Sequence, residues 1–173
     1  MQHVERSGLL AENLLAVHVN YLWQGDAQRL GQQRVSVVHC PRSHAYFQHQ
    51  RFPRRELAEA GVNICLGTDS LATVKKARGL PLELNMFAEM RALAATTSSL
   101  SAEAILPLAT TNAARALGRA GQIGELSEQS LADLITIPFH GKTTDSYEAV
   151  LQHPGEVTAS MIDGQWAIAP SAG

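Results

Sequence analysis

Three short apolar runs constrain this chain most: Leu14-Leu15-Ala16-Val17, Val35-Ser36-Val37-Val38 and Val62-Asn63-Ile64-Cys65-Leu66. Each is partly β-branched and bounded by polar or turn residues, which reads as a short strand. Their apolar positions are continuous rather than alternating, and that suits a parallel sheet covered on both faces. Helical patterns lie between and after them. Residues 26–31 form a short one. Residues 53–61 form a clearer one, opened by Pro53, lined by Leu57, Ala58 and Ala60, and closed by Gly61. The longest covers residues 80–95, where Leu80, Leu84, Phe87, Met90 and Leu93 keep close to a helical period. This alternation predicts βα units of a parallel α/β fold.

Further along, Ser101-Ala102-Glu103-Ala104 has the form of a capped helix start, and an alanine-rich helix over residues 110–117 stops at Gly118. The character changes near Gly121. Residues 132–137 are strand-like, and residues 157–168 read as a β-hairpin turning at Asp163-Gly164. The expected division is therefore 1–120, α/β, and 121–173, a small β-rich part.

Composition narrows the function. Net charge is −2, and the short basic clusters at residues 51–55 and 75–78 read as solvated faces. No nucleic-acid or anionic-membrane partner is expected. With 45% apolar residues the chain can bury a real core. Cys40 and Cys65 form no CxxC and read as small buried hydrophobes. No signal peptide and no membrane-spanning apolar run is present, so a cytoplasmic location is expected.

Chemistry concentrates where the runs end. The first ends at His18, the second at His39, and the third at Asp69 within Leu66-Gly67-Thr68-Asp69-Ser70. Parallel α/β folds build their sites at the C-terminal ends of strands. Imidazole and carboxylate gathered on one rim suit zinc or non-haem iron. Each residue also has a purely structural reading. Asp69 could form an Asx-turn, and His18 and His39 could be hydrogen-bonded structural histidines. His44 and His49 lie in a polar stretch read as a loop, either solvated or touching substrate.

Taken in order, four stretches resemble the amidohydrolase superfamily, in its deaminase and chlorohydrolase branch. Leu15-Ala16-Val17-His18-Val19-Asn20 resembles the histidine motif of the family's sixth strand. Val38-His39-Cys40-Pro41-Arg42-Ser43-His44 resembles the seventh-strand HCPxSN motif, with His44 where Asn is usual. Residues 60–70 resemble the eighth-strand motif. Residues 109–118, then Gly124-Glu125-Leu126 and Ala132-Asp133-Leu134, resemble the family's ending. The loop wording of residues 41–47 is also similar to aminodeoxyfutalosine deaminase-like sequences.

The resemblance implies the C-terminal part of a TIM-type (β/α)8 barrel, strands six to eight with their helices, plus the C-terminal strands of a small β-sandwich. It implies a zinc- or iron-dependent hydrolase that deaminates a small nitrogen heterocycle. Asp69 would bind the metal and carry a proton, since a metal lowers the pKa of water to about 7 and a neighbouring carboxylate can accept the proton. His18 would be the second catalytic residue, holding the water. His39, Ser43, His44 and Ser70 would lie on the substrate side. Amide or halide hydrolysis by the same chemistry is the alternative, and a non-catalytic α/β binding or assembly module is another.

The family's other metal ligands, an HxH pair and a further histidine, have no counterpart here, since the sequence contains no HxH. One carboxylate and one imidazole do not make the three-ligand zinc site of a catalytic centre. The chain is therefore expected to be a truncated half that holds metal weakly and is inactive alone. Three strands cannot close a barrel, so association through an exposed strand edge, as a homo-oligomer or with another polypeptide, is expected as well.

Overall fold

The computed structural model describes residues 1–76, 82–97, 99–154 and 156–171. Leu80, where the longest helix was expected to begin, and Arg78 of the second basic cluster lie outside these. The chain divides into two compact units, Met1–Leu84 and Asn85–Gly173.

The first unit follows the expected alternation. After a short helix α1 (Gln2–Arg6) come β1 (Leu15–Val17), α2 (Asp26–Gln32), β2 (Ser36–His39), α3 (Pro41–Tyr46), α4 (Arg54–Glu59) and β3 (Asn63–Leu66). The sheet is fully parallel, ordered β1-β2-β3, with Ala16 beside Val37 and Val37 beside Ile64. In-register neighbours share a face. That row therefore turns one face of the sheet into the core, where Val37 and Ile64 pack with Leu30, Val35, Leu57 and Val62. The close fit of α2 to α4 depends on Gly31, because a Cβ there would stand 2.0 Å from the carbonyl oxygen of Ala60. The opposite face carries the rows Leu15-Ser36-Asn63 and Val17-Val38-Cys65. The first holds a polar bond, Asn63 Nδ2 donating to Ser36 Oγ at 2.9 Å. On β1 this face is open: Leu15 is 37% and Val17 50% exposed.

One element differs from expectation. Residues 41–46, read as loop, form α3. Pro41 ends β2 as expected, but it occupies the first turn of a helix, where its missing N–H costs nothing.

The second unit holds α5 (Met86–Thr96), α6 (Ala102–Ala109), α7 (Thr111–Ala116), β4 (Leu134–Thr136), α8 (Ser146–Gln152), β5 (Ala159–Ile162) and β6 (Gln165–Ile168). The Asn85 side chain accepts from the Ala88 N–H, and Ser101 caps α6 in the same way through Ala104. Strands β4, β5 and β6 form an antiparallel sheet in that order. The β5–β6 hairpin turns at Asp163 (φ 48°) and Gly164 (φ 75°), the left-handed pair that a two-residue turn requires. Among the described residues no helix is long and apolar enough to cross a membrane.

Candidate functional site

The C-terminal ends of β1, β2 and β3 lie side by side, and the chain leaves two of them through strained backbone. After β1, His18 (φ 72°) and Val19 (φ 45°) are both left-handed. For a β-branched valine this conformation is an outlier, held only by its surroundings. The His18 N–H donates to the Val38 carbonyl at 2.8 Å, which ties the turn to β2. After β3, the Gly67 N–H donates to the His39 carbonyl at 2.9 Å. Gly67 is required here, since a Cβ would meet Val38 Cγ1 at 2.7 Å. Asp69 then adopts φ 55°, a conformation that aspartate tolerates better than most residues.

Asp69 is the best-defined group of the rim. Its Oδ2 accepts from Ser43 Oγ at 2.6 Å and from Thr73 Oγ1 at 3.1 Å. No hydrogen bond among the described residues reaches Oδ1. The bond from Ser43 is the main influence holding this carboxyl below the usual carboxylate range. Partial burial opposes it, while the Thr73 bond and the nearby charge of His18 reinforce it. Asp69 is therefore ionised at neutral pH, with one oxygen engaged and the other open.

The candidate residues separate by position. His18 is half-buried, and its charge acts on Asp69, His39 and His44, so the structure brings His18 and Asp69 into one electrostatic neighbourhood. Ser43 is 1% exposed with its hydroxyl on Asp69, and His39 is 3% exposed with its ring stacked on Phe52 at 3.9 Å. Both side chains are almost fully buried. Burial, then the charges of His44 and His18, lowers the His39 pKa to about 3, so it is a neutral imidazole. His44 lies on α3, with Nδ1 2.9 Å from Asn20 Oδ1, and burial chiefly lowers its pKa. Ser70 is exposed beside Asp69. Both cysteines are buried and outside any disulfide among the described residues, and burial raises the Cys65 thiol to about 11, which leaves it inert.

Sequence reasoning missed Thr73, Asn20 and Tyr21. Thr73 lies four residues past Asp69, on a single 3-10 turn at Leu71–Thr73. Tyr21 Oη lies 3.1 Å from His49 Nδ1, and with Asn20 it lines a groove of about 430 Å³ that also includes Trp23, Gln24, Gln50 and Glu56. No spacing in the sequence marks these residues. The Asn20 and Tyr21 partnerships arise only when the segment after β1 meets His44 and His49, whereas Thr73 reaches Asp69 within its own turn.

Residues 1–167 match the amidohydrolase family. The chain belongs to that family. Among the relatives of this amidohydrolase chain, a 5-methylthioadenosine/S-adenosylhomocysteine deaminase from Syntrophobacter fumaroxidans is 39% identical over 79% of the chain and 31% of its own length. A 5'-deoxyadenosine deaminase from Methanothrix thermoacetophila is 28% identical over 95% of the chain and 40% of its own length. The chain spans about a third of the curated relatives it matches. Among solved structures, an adenosine deaminase from Xanthomonas campestris with bound zinc has a TM-score of 0.79 at 29% identity, covering 96% of this chain and 39% of that one. Guanine deaminase from E. coli has a TM-score of 0.82 at 19% identity, covering 96% of this chain and 41% of that one, a likeness of fold. The three parallel strands are thus part of a TIM-type barrel. Among the described residues no group of three or more His, Cys, Asp or Glu is placed to hold a metal ion.

Proposed function

We propose that this chain supplies one part of a metal-dependent hydrolase that cleaves C–N bonds, removing an amino group from a nitrogen heterocycle with water. The observation that carries this reading is the Asp69 carboxylate: ionised, held at Oδ2, open at Oδ1, and standing at the end of a parallel strand beside His18. The relatives named as nucleoside deaminases support the substrate class. Residues 1–120 are proposed as barrel, and 121–173 as the chain's share of a β-sandwich completed by strands outside this sequence.

The donor set fits a divalent metal, zinc or iron, as one ligand among several. Asp69 would hold it through Oδ1, and when bound it supplies a Lewis acid that acidifies water. The chain's own residues do the rest. Asp69 accepts a proton at its carboxylate and returns it toward the departing nitrogen. His18 orients the attacking water from the neighbouring strand end. His44 and Ser70 face the substrate side, while His39 stays neutral and supports the rim through Phe52. Self-association through the open edge at β1 belongs to the same reading.

Ammonia release by this chain assembled with a polypeptide that supplies the remaining metal ligands, and loaded with zinc, tests this reading on a panel of adenosine-type nucleosides, aminopyrimidines and chlorinated triazines. Release from the nucleosides is expected, with Asp69→Asn lowering the rate by about 10²-fold or more. Chloride release alone would move the reading to halide hydrolysis. A protein without metal, in which Asp69→Asn changes nothing, would be a binding module.

A further inference from the structure

Resting on that reading, we infer that Ser43 is a positioning residue: its buried hydroxyl selects which oxygen of Asp69 is left open for the metal. Ser43 Oγ stands 2.6 Å from Asp69 Oδ2, and the residue is 1% exposed on α3, a helix with Pro41 in its first turn. At that burial the hydroxyl has no water to exchange with, and among the described residues its bond goes to this carboxylate. A short O–H···O⁻ bond of this kind is charge-assisted and about twice as strong as a neutral one.

Thr73 reaches the same oxygen but cannot fix it equally well. Its Oγ1 lies 3.1 Å from Asp69 Oδ2 and 2.9 Å from the Ser70 carbonyl oxygen. A hydroxyl carries one proton. Thr73 therefore divides it between two acceptors, while Ser43 commits its own to one. Both donors act on Oδ2, which holds the carboxylate plane and leaves Oδ1 outward. The two hydroxyls form a ranked clamp with Ser43 first, so a serine at this place in the strand-two exit serves the carboxylate rather than the substrate.

The test uses the same zinc-loaded assembly and compares Ser43→Ala, Ser43→Cys and Thr73→Val in this chain with wild type. The readouts are zinc affinity by chelator competition, kcat and KM separately, and thermal melting. Loss of a partner that orients a metal ligand typically costs about 10–100-fold in metal affinity or activity. Ser43→Ala is expected to lose zinc affinity in that range and to lower kcat with KM unchanged. Ser43→Cys, which keeps the volume but donates weakly, should resemble it while melting like wild type. Thr73→Val should lose less than Ser43→Ala. Unchanged zinc affinity in both Ser43 variants would overturn the clamp, as would a larger loss in Thr73→Val. A rise in KM alone would make Ser43 a substrate contact instead. Wild type that binds no zinc would remove the functional reading and the clamp together, whereas zinc-binding wild type with indifferent Ser43 variants removes the clamp alone.

Discussion

His39 illustrates how a side chain can sit at a strand end yet serve the frame. Its ring is stacked on Phe52 at 3.9 Å and 10° between planes, and it meets His44 edge-on at 5.2 Å. Burial keeps it neutral, with a pKa of about 3 against 6.5 when unfolded. The unfolded chain therefore binds more protons below pH 6.5, and stability falls as pH falls from 6.5 toward 3. Between pH 7 and about pH 4.5 this one group should remove on the order of 3 kcal/mol. Urea midpoints across that window measure it, and His39→Leu should flatten the slope, leaving the smaller part due to His44. An unchanged slope would mean that His39 is not held neutral. The placement of His18 and Asp69 just after β1 and β3 was legible in the sequence because each follows an apolar run. The neutrality of His39 was not, because the Phe52 ring comes from a segment that no local pattern connects to β2.

Elements were read well where local chemistry and packing agree. Strands β1 to β3 stand within a residue or two of their apolar runs, and the Asp163-Gly164 hairpin is where its turn chemistry put it. Helix α3 was missed because Pro41 signals both a strand end and a helix start, and Ser43 and His44 are weak helix formers. Helix α5 begins at Met86, because Asn85 supplies a cap that the apolar period does not reveal. Replacing that cap, Asn85→Ala, should cost about 1 kcal/mol, read as a shift in thermal midpoint. Gly31 gives a sharper test. Inside α2, alanine is favoured over glycine by about 1 kcal/mol. A Cβ there would nevertheless stand 2.0 Å from the Ala60 carbonyl oxygen, which is backbone and cannot swing aside. Overpacking of this kind costs about 1–3 kcal/mol, so packing should win and Gly31→Ala should destabilise by denaturant titration. A stabilised variant would show that α2 and α4 are free to separate.

At the scale of the whole molecule, the open parallel sheet rather than any single residue sets the expectations. The matched segments are between 31% and 40% of the length of the two deaminase relatives. A barrel closes only when every strand has two neighbours, and among the described residues β1 and β3 each have one. β1 is an edge strand, of the kind that recruits another strand, and its open face carries the apolar Leu15 and Val17. The fold family was legible from the ordered motifs. Two outcomes follow for the 173-residue polypeptide studied alone. It should give no steady ammonia release even when loaded with zinc, since one carboxylate and one imidazole fall short of three protein ligands. It should also self-associate as its concentration rises, and Val17→Lys should suppress this, because a charge on an open edge opposes pairing. Size-exclusion chromatography with light scattering reads the second outcome independently of activity. Steady turnover by this polypeptide would show that the missing ligands are dispensable or supplied by a second copy. The association state under the same conditions separates those cases, because only the second requires a dimer and only it should be lost in Val17→Lys.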